Sequence, residues 1–305
     1  MAAIRSNFSD LLAPGFANIF VQNMDIKAYP EEYSKIFQTA TSKRKYEDEN
    51  KVAGFGTMPS KDERSSTVYD DPLQGTSKRY THLTYSLGFR VSQELWEDDL
   101  YGVMKQMPEE LAFSARDVVE ITAAGIFING FTDTADYRGP DSEPLFGDST
   151  TKTHPLLGGG TTSNQLSTAA DLSVDSLELA IIGMEDTVND RGLLSKLVAG
   201  LLVVPTELQF QAKQILESEL QAFTSNNQMN PFDGKDLRYY VWHYLTDPDA
   251  WFLLSKRNYL KFWWRVKPSF KNDDDFDTDD AKFKARQRFS VAYTDFRGTY
   301  GSPGA

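Results

Sequence analysis

Three histidines and no cysteine stand among 305 residues, so the side chains most often recruited for catalysis and metal binding are scarce. His82 and His243 fall in strand-like stretches, and His154 precedes Pro155 in a polar loop. So separated, they form neither a metal set nor a base beside a nucleophile, and structural roles are expected. The missing cysteines remove disulfides, thiolate metal sites and cysteine nucleophiles together. The run DDDFDTDD, Asp273 to Asp280, resembles a calcium loop at first sight. Started at Asp275, it has Asp277 and Asp279 at positions 3 and 5, but Asp280 replaces the glycine of position 6 and Arg286 the glutamate of position 12. A solvated turn before a strand is the better reading.

Gly158-Gly159-Gly160 lacks the following Lys-Ser or Lys-Thr, the preceding apolar strand and the helix of a phosphate cradle. It is expected to be a flexible hinge. Neither GxSxG nor HExxH occurs, and the carboxylate pairs Asp98-Asp99 and Glu109-Glu110 read as helix-start or surface residues. Trp242, Tyr244, Trp251, Phe252, Phe262, Trp263 and Trp264 recur at strand spacing, which favours core over a sugar platform. Adjacent Trp263 and Trp264 must face opposite sides of a strand, so one of them is expected at an interface. No catalytic, cofactor-binding or metal-binding residue is assigned, and no enzymatic activity is expected.

Composition narrows the classes further. At 40% hydrophobic and 25% charged, the chain is globular and long enough for two domains. No apolar run reaches the roughly 18 to 20 residues of a membrane helix, and MAAIRSNFSDLLAPGF lacks a signal-peptide core. Without a secretory signal the sequon Asn7-Phe8-Ser9 carries little weight. An intracellular protein held by packing and association is expected. A net charge of −12 and a pI near 4.8 argue against a nucleic-acid reader, which needs a basic footprint.

The elements follow from periodicity. Residues 1 to 42 read as an arm with short helical pieces, broken by Pro14-Gly15, with a further helix starting at Pro30. Residues 43 to 79 are dense in charges of both signs and punctuated by Gly54, Gly56, Pro59 and Pro72. Leu83, Tyr85, Leu87, Phe89 and Val91 then alternate as a strand. Together these predict a projecting two-stranded ribbon, marginal by itself and in need of a neighbour. Pro108 opens an amphipathic helix to about Phe131, with Leu111, Ala115, Val118, Val119, Thr122 and Ile126 on one face. The polar loop from Thr132 to Ala170 looks too long and too polar to close on itself, which points to contact with another subunit. A helix over 174–189 follows, ended by Asp190-Arg191-Gly192. Next come a buried strand in LVAGLLVVP, a helix from Thr206 through Leu220, three short aromatic strands, and one long terminal strand in DAKFKARQRFSVAYTDFRGTYGS.

Several short strings in order carry a family resemblance: PLFG, then HP, GGTTSN and a Leu-Ser helix start, VVPTEL before a helix, DPDAWFLLSK, and the final DFRGTYGS. This order resembles the major capsid proteins of tailed bacteriophages, across nearly the whole chain. The resemblance implies an α+β, Hong Kong 97-type major capsid fold. It would comprise an N-arm (1–42), an extended β-hairpin loop (43–80), a peripheral domain with a long spine helix (81–171, helix 108–131), an axial domain (172–247) and return strands (248–305). It implies a virion protein, assembled in the host cytoplasm, that binds itself as pentamers and hexamers. Such a shell encloses double-stranded DNA without sequence-specific binding. Separate scaffolding, portal and decoration proteins are its expected partners, since no scaffolding segment of family length precedes the arm. Lys43, Lys45, Lys51 and Lys61 lie in the extended loop, but no pattern selects one for crosslinking. An encapsulin-like nanocompartment shell is the alternative within the fold. A carbohydrate-binding protein or enzyme, and a tail or baseplate component, are alternatives from other classes.

Overall fold

The computed structural model describes residues 9–24, 31–92, 94–95, 102–220, 229–274 and 280–305. Phe8, Pro30, Asp98, Asp99 and Asp275 to Asp279 lie outside them. The chain forms two units, each gathered from three stretches: residues 1–47, 80–123 and 262–291, and residues 48–79, 124–261 and 292–305.

The first unit is built on a sheet of β1 (Gln38–Thr41), β10 (Leu260–Asp274), β11 (Ala281–Tyr293) and β4 (Leu83–Val91), in the order β1-β10-β11-β4. β4 runs antiparallel to β11, with Phe89 opposite Phe283 and Leu83 opposite Phe289. One face of this sheet is aromatic. Phe283 stacks on Phe89 at 5.0 Å and lies 5.8 Å from Phe270, and Phe262 meets Phe289 at 5.1 Å. Against it pack α1 (Ser9–Met24), through Phe16 and Phe20, and α2 (Val103–Ile128), through Leu111 and Ala112. Buried Glu120 of α2 accepts from the N–H groups of Glu32 and Tyr33, at 2.7 and 3.0 Å.

Three expectations change here. Pro14-Gly15 does not break the arm, because α1 runs through it; a proline removes one helical hydrogen bond, and packing makes up the loss. The helix expected from Pro30 is only a 3-10 turn, Tyr33–Lys35, before the chain extends into β1. α2 starts at Val103, so Pro108 lies inside it rather than at its head. The missing bond to the Met104 carbonyl does not end the helix, which buries Leu111, Ala112, Val119, Ala123, Ala124, Ile126 and Phe127.

The second unit has the sheet order β12-β9-β7-β8: β7 (Ala199–Val204), β8 (Arg238–Val241), β9 (Trp251–Ser255) and β12 (Thr299–Ser302). β7 pairs parallel with β8, and α4 (Gln209–Glu217) connects them. β9 pairs antiparallel with both β7 and β12. The run LVAGLLVVP is thus a central strand with Leu202, Val203 and Val204 fully buried. α3 (Val174–Glu185) opens with a capping box between Ser173 and Ser176 and seats Leu177, Ala180, Ile181 and Met184 in the core. It stops short of the expected Asn189, because Val188 bridges to Leu194 around the Asp190-Arg191-Gly192 turn. The expected single terminal strand is two strands, β11 and β12, in different sheets. Between them Gly298 sits at φ +86, where an added Cβ would meet the Arg257 carbonyl.

The polar loop after α2 does close on itself. Asn164 organises it: Oδ1 accepts from Gly147 N–H at 2.7 Å, and Nδ2 donates to the Leu145 and Thr299 carbonyls at 2.8 and 3.2 Å. Leu145 and Phe146 are fully buried, and Phe146 stacks on Phe131 and Phe252 at 4.8 and 5.2 Å. Asp148 accepts from the N–H groups of Thr150, Thr151 and Lys152. The triple glycine is a turn rather than a hinge. It joins β5 (His154–Pro155) to β6 (Thr161–Thr162), with φ of +95 and +87 at Gly159 and Gly160. Its Gly158 N–H donates to the Asp190 carbonyl at 2.9 Å.

Candidate functional site

The ribbon expected between residues 43 and 80 consists of β2 (Tyr46–Ala53) and β3 (Leu73–Thr81), which pair in a two-stranded sheet of their own. The strand over Leu83–Val91 is not its second member, as the alternation suggested; it joins β11 instead. A two-stranded ribbon buries little by itself, so its anchoring must come from elsewhere.

Within the second unit the anchor is ionic. Lys51 of β2 places Nζ 2.8 Å from Asp190 and 2.7 Å from Asp295. Arg297 reaches the same two carboxylates at 3.1 Å and donates to the Val188 carbonyl at 2.8 Å. Asp190, Asp295 and Arg297 are all buried, and two cations match two anions, so the desolvated charges compensate one another. Burial alone would raise the Asp190 pKa; the hydrogen bond from Lys51 and the charge of Arg297 outweigh it and hold that carboxyl below its ordinary value. Beside this cluster lies a cavity of about 90 Å³, lined in part by Thr76, Pro155 and Leu157. Glu49, two residues before Lys51, accepts from Lys261 Nζ and Thr294 Oγ1, each at 2.5 Å. Further out, Arg191 donates to the Gly54 carbonyl at 3.0 Å and to the Asp71 carbonyl. Gly75 is required here, because a Cβ would come within 2.6 Å of the Lys51 carbonyl oxygen.

Past this root the ribbon is open. Phe55, Met58, Val68 and Tyr69 are 62%, 91%, 68% and 92% exposed. Four large apolar side chains held in solvent on a pinned stem are what a contact surface requires. Carboxylates Asp62, Glu63, Asp70 and Asp71 stand among them with Lys61 and Arg64, all of them exposed.

The residues singled out for chemistry are not brought together. His82 is buried, 2.9 Å from Ser290 Oγ, and burial followed by the charge of Arg288 lowers its pKa. His154 is fully buried, between Asp141 Oδ2 at 2.6 Å and Asn164 Oδ1 at 3.1 Å, with its ring stacked 3.6 Å from Phe296. It locks the loop, a role the dipeptide His-Pro did not announce. His243 is exposed. Among the described residues no three or more histidine and acidic side chains converge to hold a metal ion. Trp242, Trp251, Phe252, Phe262 and Trp264 are buried, and Tyr244 is half-buried. Trp263, on the other face of β10, is half-buried, 6.3 Å from Tyr80. Glu109 and Glu110 are exposed on α2, and Lys43, Lys45 and Lys61 are exposed. Lys51 was one of four equivalent lysines in the sequence; nothing local marked it as the half-buried, ion-paired one.

Comparison with curated proteins finds no significant match. Among solved structures the chain is similar to a protein of Microbacterium phage Oxtober96, with a TM-score of 0.54, 12% identity and all of both chains covered. It is also similar to the capsid of a native GTA particle, with a TM-score of 0.57, 12% identity and 90% of each chain covered. A third likeness is to the holo-SrpI encapsulin complex from Synechococcus elongatus PCC 7942, with a TM-score of 0.51, 10% identity, and 91% of this chain and 89% of that one covered. The fold is of the Hong Kong 97 type. A family described as phage capsid protein matches residues 75–302, well over half of the sequence, and the chain belongs to that family.

Proposed function

We propose that this protein is a major capsid subunit that self-assembles, without catalysis, into the icosahedral shell enclosing a phage genome. The observation that carries the reading, beside family membership, is the ribbon: an ion-paired root and an apolar tip left in solvent. Such a tip is satisfied by a second copy, and many weak contacts made at once become jointly strong. On this reading residues 1–42 are the arm, 43–80 the extended loop, and 81–171 the peripheral domain with its spine helix. Residues 172–247 form the axial domain that meets its copies in pentamers and hexamers, and 248–305 return mainly to the peripheral domain. Scaffolding, portal and decoration proteins are separate chains, the DNA is enclosed without sequence-specific contacts, and assembly takes place in the host cytoplasm. Electron microscopy of the purified protein, with its mass by light scattering, tests the reading. Shells, pentamers or hexamers are expected; a strict monomer at high concentration, with scaffolding candidates present, overturns it. A nanocompartment shell is the second reading, supported by the likeness to an encapsulin fold. Particles that carry protein cargo and no nucleic acid would favour it.

A further inference from the structure

β4, β11 and β10 as far as Asn272 contain no acidic residue, in a chain whose net charge is −12. Their basic residues are not scattered. Along β11 the order is Lys-Phe-Lys-Ala-Arg-Gln-Arg-Phe from residue 282, and Phe283, Ala285, Gln287 and Phe289 are buried. Alternation therefore puts Lys284, Arg286 and Arg288 on the face turned away from α1 and α2. On β10 the aromatic contacts of Phe262, Trp264 and Phe270 fix the inner face, so Arg265, Lys267 and Lys271 share the opposite one. Arg90 of β4 lies across from Lys282. Ser269 Oγ donates to the Arg286 carbonyl at 3.1 Å, which seats these rows side by side.

Arg90, Lys267, Lys271, Lys284 and Arg286 are exposed, and none of the five has a carboxylate partner among the described residues. Arg265 and Arg288 are half-buried, and the Arg265 Nε has no hydrogen-bond acceptor. Glu47, 3.7 Å from Arg44, is a carboxylate at the His82 end, and among the described residues Asp273, Asp274 and Asp280 stand at the hairpin end. Along a strand the cations stand about 6.8 Å apart and between strands about 4.8 Å, a dense positive field on a flat surface.

We propose that this basic sheet face is a docking surface for the acidic surface of a second copy of the chain. The inference rests on the assembly reading and deepens it. With the eight face cations set aside, Lys282 among them, 24 Lys and Arg remain against 44 Asp and Glu, a charge of −20 for the rest of the chain. Copies of such a chain repel one another unless a local positive surface meets the anionic remainder. A second copy is favoured over a nucleic acid because that same remainder repels a phosphate backbone, and sheet strands two residues apart offer point charges but no stacking platform.

The test compares wild type with K267E/K284E/R286E and with K105E/K256E/R257E, which reverses three exposed cations off this face and outside residues 172–247 and reaches the same net charge. Circular dichroism and melting temperature first establish that all three are folded. Assembly of the face variant should require at least about tenfold higher protein concentration than the matched control, and wild-type assembly should weaken as salt shortens the screening length from about 8 to 3 Å. Equal assembly of the two variants, whether intact or lost, overturns the proposal, since only bulk charge would then matter. A wild type that never assembles sinks the assembly reading separately. The second virial coefficient then still decides: the face variant should be more repulsive than the control, and equality overturns the inference. Gel-shift with a DNA duplex of arbitrary sequence supplies the remaining arm. Loss of DNA binding by a face variant that assembles like the control assigns the face to phosphate and overturns the proposal.

Discussion

Two stretches of the second unit have nearly the same composition and opposite fates. Residues 54–72, at the end of the ribbon, and 139–166, after α2, are both rich in Gly, Ser, Thr, Pro and Asp. The second folds around buried anchors: Leu145, Phe146, His154 and Asn164 are each 1% exposed or less. The first leaves Met58 and Tyr69 more than 90% exposed. Polarity does not separate them. What does is one side chain, Asn164, able to satisfy three distant backbone groups, against which hydrophobic residues can then pack.

The contrast can be broken at each end. The largest effect is expected from Arg297→Ala, which leaves Asp190 and Asp295 to share Lys51 and should cost about 3 to 5 kcal/mol in urea unfolding. Asn164→Ala orphans the Gly147 N–H and the Leu145 carbonyl, and about 3 kcal/mol is expected by the same measurement. Proteolysis should then open the 139–166 loop first, and a loop that stays resistant would show that its apolar anchors suffice.

Acid provides a gentler probe. The N–H of Lys152, followed by contacts from Thr151, holds the Asp148 carboxyl well below its ordinary value, and Asp190 is depressed as well. Carboxyls depressed in the folded state contribute stability above their unfolded pKa of about 3.9 and lose it as pH falls through the folded value. Neither group should therefore change stability between pH 8 and 5, and both loop and ribbon root should loosen below about pH 4. Near-UV circular dichroism during acid titration checks this, and loosening at pH 6 would refute it for these two groups. The smallest effect on stability belongs to the ribbon tip. Met58→Ser with Tyr69→Ser should shift unfolding by less than about 0.5 kcal/mol and yet abolish assembly. If those variants form particles normally, the tip is not a contact surface.

How far the sequence reveals this follows from the range of each interaction. Alternation over Leu83–Val91 and the apolar run before Pro205 revealed β4 and β7, because burial on a sheet is written within a few residues. The closure of the loop depends on Asn164 meeting Gly147, 17 residues away, and Thr299, 135 away; no local pattern encodes that. Gly298 stands at the break between β11 and β12, but the alternation on either side read through it as a single strand. The basic face went unread, because the alternating cations of KFKARQRF are averaged away in a net charge of −12. The ribbon root was not legible, since Lys51, Asp190, Asp295 and Arg297 are spread across most of the chain.

The interleaving of the two units has a consequence for synthesis. Each needs a stretch from the last third of the chain: residues 262–291 complete one sheet, and β12 at Thr299–Ser302 completes the other. Domains that are continuous in sequence fold in order as they leave the ribosome. Here neither unit closes until β11 and β12 have emerged. A nascent chain thus presents no finished surface for a neighbour to join, and translation itself separates the making of subunits from their assembly.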